Sequence, residues 1–164
     1  MIFIIMGVSG AGKTTVGKML AQKLSCEFHD SDQFHSKENI EKMGRGIPLT
    51  DGDRKPWLKA IRDLIEKHPG QAVIACSALK KSYRDFLNIS GKNVNFIYLK
   101  GNQNILRKRL GDRKGHYAGA DLLDSQLQTL EEPDHALTLD VINTPEVIVE
   151  KILREYNLGE YGTL

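Results

Sequence analysis

The sequence is poor in cysteine and in net charge, and it lacks any long hydrophobic run. Its two cysteines, Cys26 and Cys76, are too few for a disulfide framework and lack the spacing of a metal-ligand cluster, which suits a reducing cytoplasm. A formal net charge of +2 does not indicate a nucleic-acid or membrane partner. The apolar run at residues 2–6 is too short for the core of a signal peptide, and no stretch reaches transmembrane length. We therefore expect a soluble cytoplasmic protein with one domain over residues 1–164.

One glycine-rich stretch carries the clearest signal of function. Residues Gly7-Val8-Ser9-Gly10-Ala11-Gly12-Lys13-Thr14 fit the phosphate-binding pattern G-x-x-x-x-G-K-[ST], between an apolar strand pattern and an amphipathic helix pattern. Glycines let backbone N–H groups crowd close to a phosphate, and a helix N-terminus adds unpaired donors. We expect this stretch, extended to Thr15, to bind the phosphates of a nucleoside triphosphate, with Lys13 on the outer phosphates and the Thr14 hydroxyl on Mg²⁺.

Strand and helix patterns alternate along the rest of the chain. Strands are predicted at residues 2–6, 27–29, 72–76, 94–99 and 139–142, and helical patterns separate them. This alternation predicts a parallel sheet covered by helices on both faces, with the loops that follow the strands gathered at one edge near the phosphate loop. Thr50 and Asp53 have the spacing of a capping box, but Pro56 limits where the helix that carries Trp57 can start and is expected to delay it. Trp57 itself is expected in the core.

Two carboxylates follow the second predicted strand. Asp30 and Asp32 are two residues apart and point the same way if both are extended. One can hold the water shell of a metal, and the other can accept a hydrogen bond, and later a proton, from an attacking hydroxyl. The pair also fits two solvated loop acids or a helix N-cap. Its position at the ligand-binding edge of a parallel sheet favours the functional interpretation.

The markers of two other phosphate-loop classes are missing. No apolar strand pattern ends in the Asp of a Walker B segment, since the one at residues 72–76 runs into Cys-Ser, and no Asn-Lys-x-Asp guanine signature occurs. Both absences weigh against a GTPase or a large motor ATPase. They favour a small kinase in which an acid elsewhere serves the metal.

A basic run occurs late in the chain, at Arg107, Lys108, Arg109, Arg113 and Lys114. It also fits a solvated helix face, and it lacks the interleaved aromatic residues of a nucleic-acid surface. Arg109 and Arg113 are four residues apart and share a face if the helix continues. The glycine-containing segment at 112–120 suits a hinge. We expect a mobile lid whose arginines stabilise the charge on a transferred phosphoryl group.

Further basic side chains lie close to predicted strand ends or helix starts: Arg54, Lys55, Lys80, Lys81 and Arg84. A substrate that bears a carboxylate needs at least one such partner, and arginine is suited to bidentate capture. His35 and His116 can hydrogen-bond a polyol substrate. Each of these side chains can equally be a surface charge or a structural hydrogen-bonding group.

Several blocks of the chain resemble the gluconate kinases, which are phosphate-loop kinases related to the shikimate and nucleoside monophosphate kinases. The matching blocks are the phosphate loop, Asp30-Ser31-Asp32 with His35 and Asn39, residues 46–51 with 53–58, residues 76–85, and a weaker block that includes Gln126 within 109–133. The Asp-Arg-Lys-Pro-Trp-Leu and Cys-Ser-Ala-Leu-Lys-Lys blocks are distinctive, whereas the phosphate loop alone is not. Gln128 stands where this family has Glu, which puts a charged role for that position in doubt.

The resemblance implies ATP- and Mg²⁺-dependent phosphorylation of D-gluconate at its 6-hydroxyl, with shikimate or another small metabolite as the alternative acceptor. It implies a five-stranded parallel P-loop kinase fold of the α/β class, a substrate-binding helical insert at about 34–68, a lid at about 111–121 and a homodimer. The roles carried over put Lys13, Asp32, Arg109 and Arg113 in catalysis, Thr14 and, through water, Asp30 on the metal, and Arg54, Lys80 and Arg84 forward as candidates for the gluconate carboxylate.

Overall fold

A parallel β-sheet between two layers of helices forms the framework of the protein. The computed structural model describes residues 1–111 and 120–159. Within these residues the strands are β1 (Ile2–Met6), β2 (Glu27–Asp30), β3 (Ala72–Ala75), β4 (Val94–Lys100) and β5 (Leu137–Asp140). The helices are α1 (Lys13–Leu24), α2 (Lys37–Gly44), α3 (Asp51–Lys67), α4 (Lys81–Leu87), α5 (Gln103–Gly111), α6 (Ala120–Thr129) and α7 (Pro145–Glu155), with a short 3₁₀ turn at Ser31–Phe34.

The strand order is β2-β3-β1-β4-β5, and each neighbouring pair is parallel. The parallel α/β sheet expected from the alternating patterns is confirmed. β1 lies in the middle, and all five of its residues are buried. The carboxyl ends of β1, β2 and β3 therefore meet at one edge, where the phosphate loop, the segment that begins at Asp30 and the loop after Ala75 come together.

The core has one cluster on each face of the sheet because successive side chains of a strand point to opposite faces. Phe3 and Ile5 of β1 pack with apolar residues of α1, α5 and α7. Ile4 and Met6 pack on the other face, with residues of α3 and α4 that include Trp57. Trp57 is 2% exposed, as expected for a core residue.

Helix α3 begins five residues before Pro56, so the expectation that this proline delays the helix is wrong. Thr50 is the N-cap, and Thr50 and Asp53 exchange hydrogen bonds in a capping box, which stabilises the first turn at Asp51. Pro56 lacks an N–H for the Gly52 carbonyl. Both residues are exposed, so water can satisfy that carbonyl.

The last strand lies at Leu137–Asp140, two residues earlier than the apolar run at 139–142 indicated. Within the described ranges 1–111 and 120–159, β5 pairs with β4 alone and is an edge strand, so its residues alternate between exposure and burial. Val141 is buried but follows the strand. The run Leu139 to Ile142 therefore marks the end of the strand and the turn after it.

Some sequence predictions fall outside the described residues. Arg113 and His116 are among them, together with most of the predicted lid and the end of the chain from residue 160. The predicted insert at 34–68 contains α2 and α3. Among the helices of the described part, none is both long enough and apolar enough to cross a membrane.

Candidate active site

The phosphate loop joins β1 to α1, and the positions that need glycine include Gly7 and Gly12. Gly7 has φ +149°, and a Cβ there would lie 2.9 Å from the Leu99 carbonyl oxygen, so a side chain does not fit. Gly12 is the N-cap of α1 in a left-handed conformation with φ 95°. Because glycine has no side chain, nothing of Gly12 covers the first-turn N–H groups of α1, which therefore face the loop as anion donors.

Two cations predicted to act in catalysis lie against this loop. Lys13 Nζ donates to the Val8 carbonyl oxygen at 3.0 Å. Arg109, at the end of α5, donates to the Gly10 carbonyl oxygen at 3.3 Å and to the Val141 carbonyl oxygen at 2.8 Å. The structure thus brings Lys13 and Arg109 to the same loop although 96 positions separate them (109 − 13).

Asp30 links the loop to the 3₁₀ turn. Its Oδ2 accepts a hydrogen bond from Thr14 Oγ1 at 3.4 Å, and its Oδ1 accepts one from the Asp32 N–H at 3.0 Å. The carboxylate is therefore held beside the hydroxyl that the loop motif assigns to a metal. A hydroxyl and a carboxylate supply only oxygen, the donor type that Mg²⁺ prefers, so these residues fit that ion.

One cavity connects most of the predicted site residues. The residues that line it include Ser9, Gly10, Gly12, Lys13, Thr14, Asp30, Ser31, Asp32, His35, Arg54, Trp57, Ser77 and Gln126. Met43, Pro48 and Leu49 give it an apolar wall. Met43 lies in the last turn of α2, and Pro48 and Leu49 lie in the irregular segment between α2 and α3. Sequence reasoning assigned no role to this wall, because such a segment has no periodic pattern.

His35 is held in one ring orientation and one protonation state. Its ring stacks on Trp57 with centroids 4.5 Å apart and an interplanar angle of 9°. Asn39 Nδ2 donates to the Asp53 carbonyl oxygen at 2.9 Å and contacts His35 Nδ1 at 3.3 Å, which assigns Nδ1 as the acceptor and leaves the proton on Nε2. Burial, helped by the charge of Arg54, lowers the pKa of His35 to about 4. His35 is therefore a neutral hydrogen-bond donor at physiological pH.

The three basic candidates for carboxylate binding lie in different places. Arg54 lines the cavity and donates one hydrogen bond, to Tyr83 Oη at 3.2 Å. Lys80 pairs with Asp51 at 2.9 Å, and that hydrogen bond raises the pKa of Lys80. Lys80 does not line the cavity.

Arg84 is also absent from the cavity lining and is buried in the protein. Its guanidinium donates to three main-chain carbonyl oxygens, of Ala78 at 2.9 Å, Leu79 at 3.1 Å and Glu131 at 2.8 Å. Burial lowers the pKa of this guanidinium. These contacts join the loop after β3 to the segment after α6, and they occupy the group that the sequence put forward for a substrate carboxylate.

Gln126, which belongs to the weaker resembling block, lines the cavity, and sequence reasoning assigned it no role. Its Oε1 accepts a hydrogen bond from the Ser9 N–H of the phosphate loop at 2.7 Å. Leu122 and Ser125 of the same helix also line the cavity. No sequence pattern assigns this contact, because the two residues are 117 positions apart. Gln128, where the resemblance led us to expect Glu, is exposed.

The two cysteines lie at opposite ends of the parallel sheet. Cys76, directly after β3, is fully buried, and burial raises the pKa of its thiol to about 12. Cys26, before β2, is half-buried, and burial also raises the pKa of its thiol. Both thiols, which lie in the described part of the chain, are free.

A cluster of metal-ligand types lies at the opposite end of β2. Glu27 Oε2 is 3.0 Å from His29 Nε2 and 3.2 Å from His68 Nε2. His68 Nδ1 accepts a hydrogen bond from the Gly70 N–H at 3.3 Å, so the proton of the neutral ring is on Nε2 and points to Glu27. These hydrogen bonds lower the pKa of Glu27. The cluster is therefore satisfied by hydrogen bonds, and the proton of His68 is on Nε2, the nitrogen that a metal ion bound to Glu27 would need.

The strand order, the phosphate loop and a cavity that joins this loop to the acids Asp30 and Asp32 define the protein as a phosphate-loop kinase. A family model described as Shikimate kinase matches residues 9–156. The chain is 47% identical to a probable gluconokinase of Dictyostelium discoideum over an alignment of 168 positions, gaps included, that covers 93% of this chain and 84% of that protein. It is 40% identical to the thermoresistant gluconokinase of Escherichia coli (strain K12), over 97% of this chain and 95% of that protein.

A solved structure gives the same result. A gluconokinase from Sinorhizobium meliloti 1021 superposes with a TM-score of 0.84 at 38% identity, covering 96% of this chain and 97% of that one. The chain belongs to the gluconokinase family, within the wider shikimate kinase group, and is a kinase.

Proposed function

We propose that this enzyme transfers the terminal phosphoryl group of ATP to the 6-hydroxyl of D-gluconate, giving 6-phospho-D-gluconate and ADP. The names of its relatives support this substrate. The observation that carries the proposal is a single cavity that joins Lys13 of the phosphate loop to Asp32, and Asp32 to Arg54 and His35. The reaction needs a site for the triphosphate, an acid beside the alcohol and a cation for the carboxylate.

The loop end of the cavity suits the nucleotide. Within the predicted loop Gly7–Thr15, main-chain N–H groups from Gly10 onward would bind the phosphates, together with Lys13, whose ammonium would exchange the Val8 carbonyl for phosphate oxygens. Arg109 lies against the same loop and can stabilise negative charge on the transferred group. We keep Arg113 as a second such arginine, on the sequence argument alone.

Thr14 and Asp30 are the residues that would hold Mg²⁺, Thr14 by its hydroxyl and Asp30 through water. The ion, when bound, neutralises charge on the triphosphate. The hydrogen bond between the two side chains keeps the Asp30 carboxylate oriented for this role.

Asp32 is the residue for the acceptor alcohol. Its backbone N–H is fixed by Asp30, and its side chain lies in the cavity on the 3₁₀ turn. In the transfer, the alcohol oxygen forms a bond to the terminal phosphorus and the bond to the bridging oxygen of ADP breaks. An alcohol is a weak acid, so its proton passes to the Asp32 carboxylate late in the step and then to solvent.

The far end of the cavity suits a hydroxylated acid. Arg54 has guanidinium donors beyond the one used on Tyr83 and can pair with the carboxylate. His35 Nε2–H can donate to a hydroxyl, because its Nδ1 faces Asn39. His116 is kept as a second hydroxyl partner and Lys80 as a further cation, both on the sequence argument alone.

A panel of acceptors tests the proposal. Purified protein with ATP and Mg²⁺ is expected to phosphorylate D-gluconate with a far higher kcat/KM than shikimate, AMP or CMP, and ³¹P NMR should show the product phosphate on C6. Chelation of Mg²⁺ should abolish turnover. The variant Lys13→Ala should be inactive, and its circular dichroism spectrum should show that it is still folded. Preference for shikimate would replace the substrate, and tight ATP binding without turnover on any sugar acid would refute a kinase of this class.

The family resemblance also supports a cytoplasmic homodimer. Sedimentation of the purified protein at micromolar concentration should give twice the 18.4 kDa chain mass. A species of single chain mass at these concentrations would refute the dimer without touching the reaction.

A further inference from the structure

Gln126 fixes the first half of the phosphate loop. Its Oε1 lies 2.7 Å from Ser9 N, within the range of a good N–H···O hydrogen bond. Ser9 is only 9% exposed, so its N–H needs a partner inside the protein. Since an N–H must face an acceptor, the contact itself assigns the amide oxygen of Gln126 to the loop side.

The contact joins two parts of the cavity wall. Ser9 belongs to the phosphate loop, and Gln126 belongs to α6, which begins at Ala120, near the end of the segment predicted as the lid. Both residues line the cavity that also contains Lys13 and Asp32. Gln126 is therefore next to the place where the triphosphate and the acceptor alcohol would meet.

Helix α6 is anchored independently of this hydrogen bond. Leu123 is fully buried in the core cluster around α1. After the helix, the Glu131 N–H donates to the Leu79 carbonyl oxygen at 2.9 Å, and Arg84 donates to the Glu131 carbonyl oxygen at 2.8 Å. The helix thus has a fixed position from which Gln126 can hold the loop.

We propose that Gln126 is a positioning residue that fastens the phosphate loop to α6, so that the loop keeps its shape while the phosphoryl group is transferred. The proposal rests on the proposed kinase reaction. The amides from Gly10 onward and Lys13 do not depend on Gln126 and would still bind the triphosphate. A loosened Ser9 would instead spoil the alignment of the terminal phosphoryl group with the alcohol, which affects the rate of transfer more than the binding of ATP.

Kinetics of three variants test this role. In Gln126→Leu, which keeps the size and loses the acceptor, kcat should fall about tenfold or more while the KM for ATP changes by less than about threefold. In Gln126→Glu, an acceptor oxygen remains, so kcat should return to within about threefold of the wild type. The KM for ATP should rise about fivefold or more there, because a negative charge now faces the phosphates. Gln128→Leu, an exposed position on the same helix, is the matched control and should match the wild type.

Hydrogen–deuterium exchange gives a second readout that needs no substrate. The amide of Ser9, in a peptide covering the phosphate loop, should exchange about tenfold faster in Gln126→Leu and unchanged in Gln128→Leu. If the leucine variant does not fold, Gln126→Asn, one methylene shorter, should show the same losses. Wild-type exchange and wild-type kcat in Gln126→Leu, or in Gln126→Asn if it replaces the leucine variant, would overturn the proposal, as would a Gln126→Glu variant as slow as Gln126→Leu. If Ser9 exchanges faster in Gln126→Leu as expected but the wild type does not phosphorylate gluconate, the proposed substrate is refuted and the role of Gln126 in holding the loop is not.

Discussion

Replacing Arg84 with methionine separates a structural arginine from a substrate-binding one. Methionine keeps the apolar length of the side chain but removes the donors to the carbonyl oxygens of Ala78, Leu79 and Glu131. A hydrogen bond from a charged group contributes about 1.5–3 kcal/mol, and a buried carbonyl left without a donor adds a desolvation cost. The Leu79 carbonyl avoids that cost because it keeps the Glu131 N–H as a donor. Removing a buried charge gives part of this back. We therefore expect a net loss of about 3 kcal/mol in the free energy of unfolding.

Thermal and chemical unfolding measure this loss directly. For a domain of this size, about 3 kcal/mol corresponds to a fall in Tm of about 6–12 °C. Urea unfolding should show a lower midpoint with an unchanged slope. The KM for gluconate should stay within about threefold of the wild type, because Arg84 does not line the cavity.

Arg54→Met is the matched comparison, since Arg54 lines the cavity. It should raise the KM for gluconate about tenfold or more with a Tm change of no more than a few degrees, because a carboxylate loses its charged partner. The reasoning fails if Arg84→Met keeps its Tm and raises the KM for gluconate. That result would return Arg84 to the substrate.

Three further predictions follow from the same geometry. Asp32→Asn should lower kcat by about 10²-fold while ATP affinity by titration calorimetry stays the same, and a kcat within a few-fold would remove Asp32 from the acid–base role. The pKa of His35 is about 4 when folded and near its ordinary value of 6.5 when unfolded, so the unfolded chain binds more protons between these values and stability falls as the pH drops through them. His35→Phe should lose less stability than the wild type between pH 7 and 4.5 in urea titrations; parallel curves would contradict this. Gly17→Ala should lower stability by about 1–3 kcal/mol, since its Cβ would lie 2.5 Å from Phe28 Cε2, and an unchanged Tm would mean that the ring moves aside at no cost.

Much of the fold is predictable from local patterns. The buried strands β1 and β3 are short apolar runs between turn residues, and the helices show an apolar face with caps such as Thr144 before Pro145. The errors occurred where two local signals compete. At α3 the capping box of Thr50 and Asp53 prevailed over Pro56, because the lost hydrogen bond faces solvent.

The candidate site divides in the same way. The phosphate loop is one short stretch of the chain, and Asp30 and Asp32 lie two residues apart in another, so a local pattern can find each of them. The partners of Arg54, Lys80 and Arg84 depend on tertiary packing, and three similar cations proved to have a cavity wall, a surface ion pair and a buried main-chain contact as their surroundings. The resemblance included Gln126 but gave it no role, because its partner is a backbone N–H on a distant loop.

The burial of Cys76, directly after β3, protects its thiol from electrophiles. Reagents such as iodoacetamide and maleimides attack the thiolate, and a thiol with a pKa of about 12 carries almost none at neutral pH. Oxidants that modify reactive cysteines face the same barrier. Cys26, directly before β2, is the more accessible of the two thiols although burial raises its pKa as well, and a spectroscopic label there would attach four residues before Asp30.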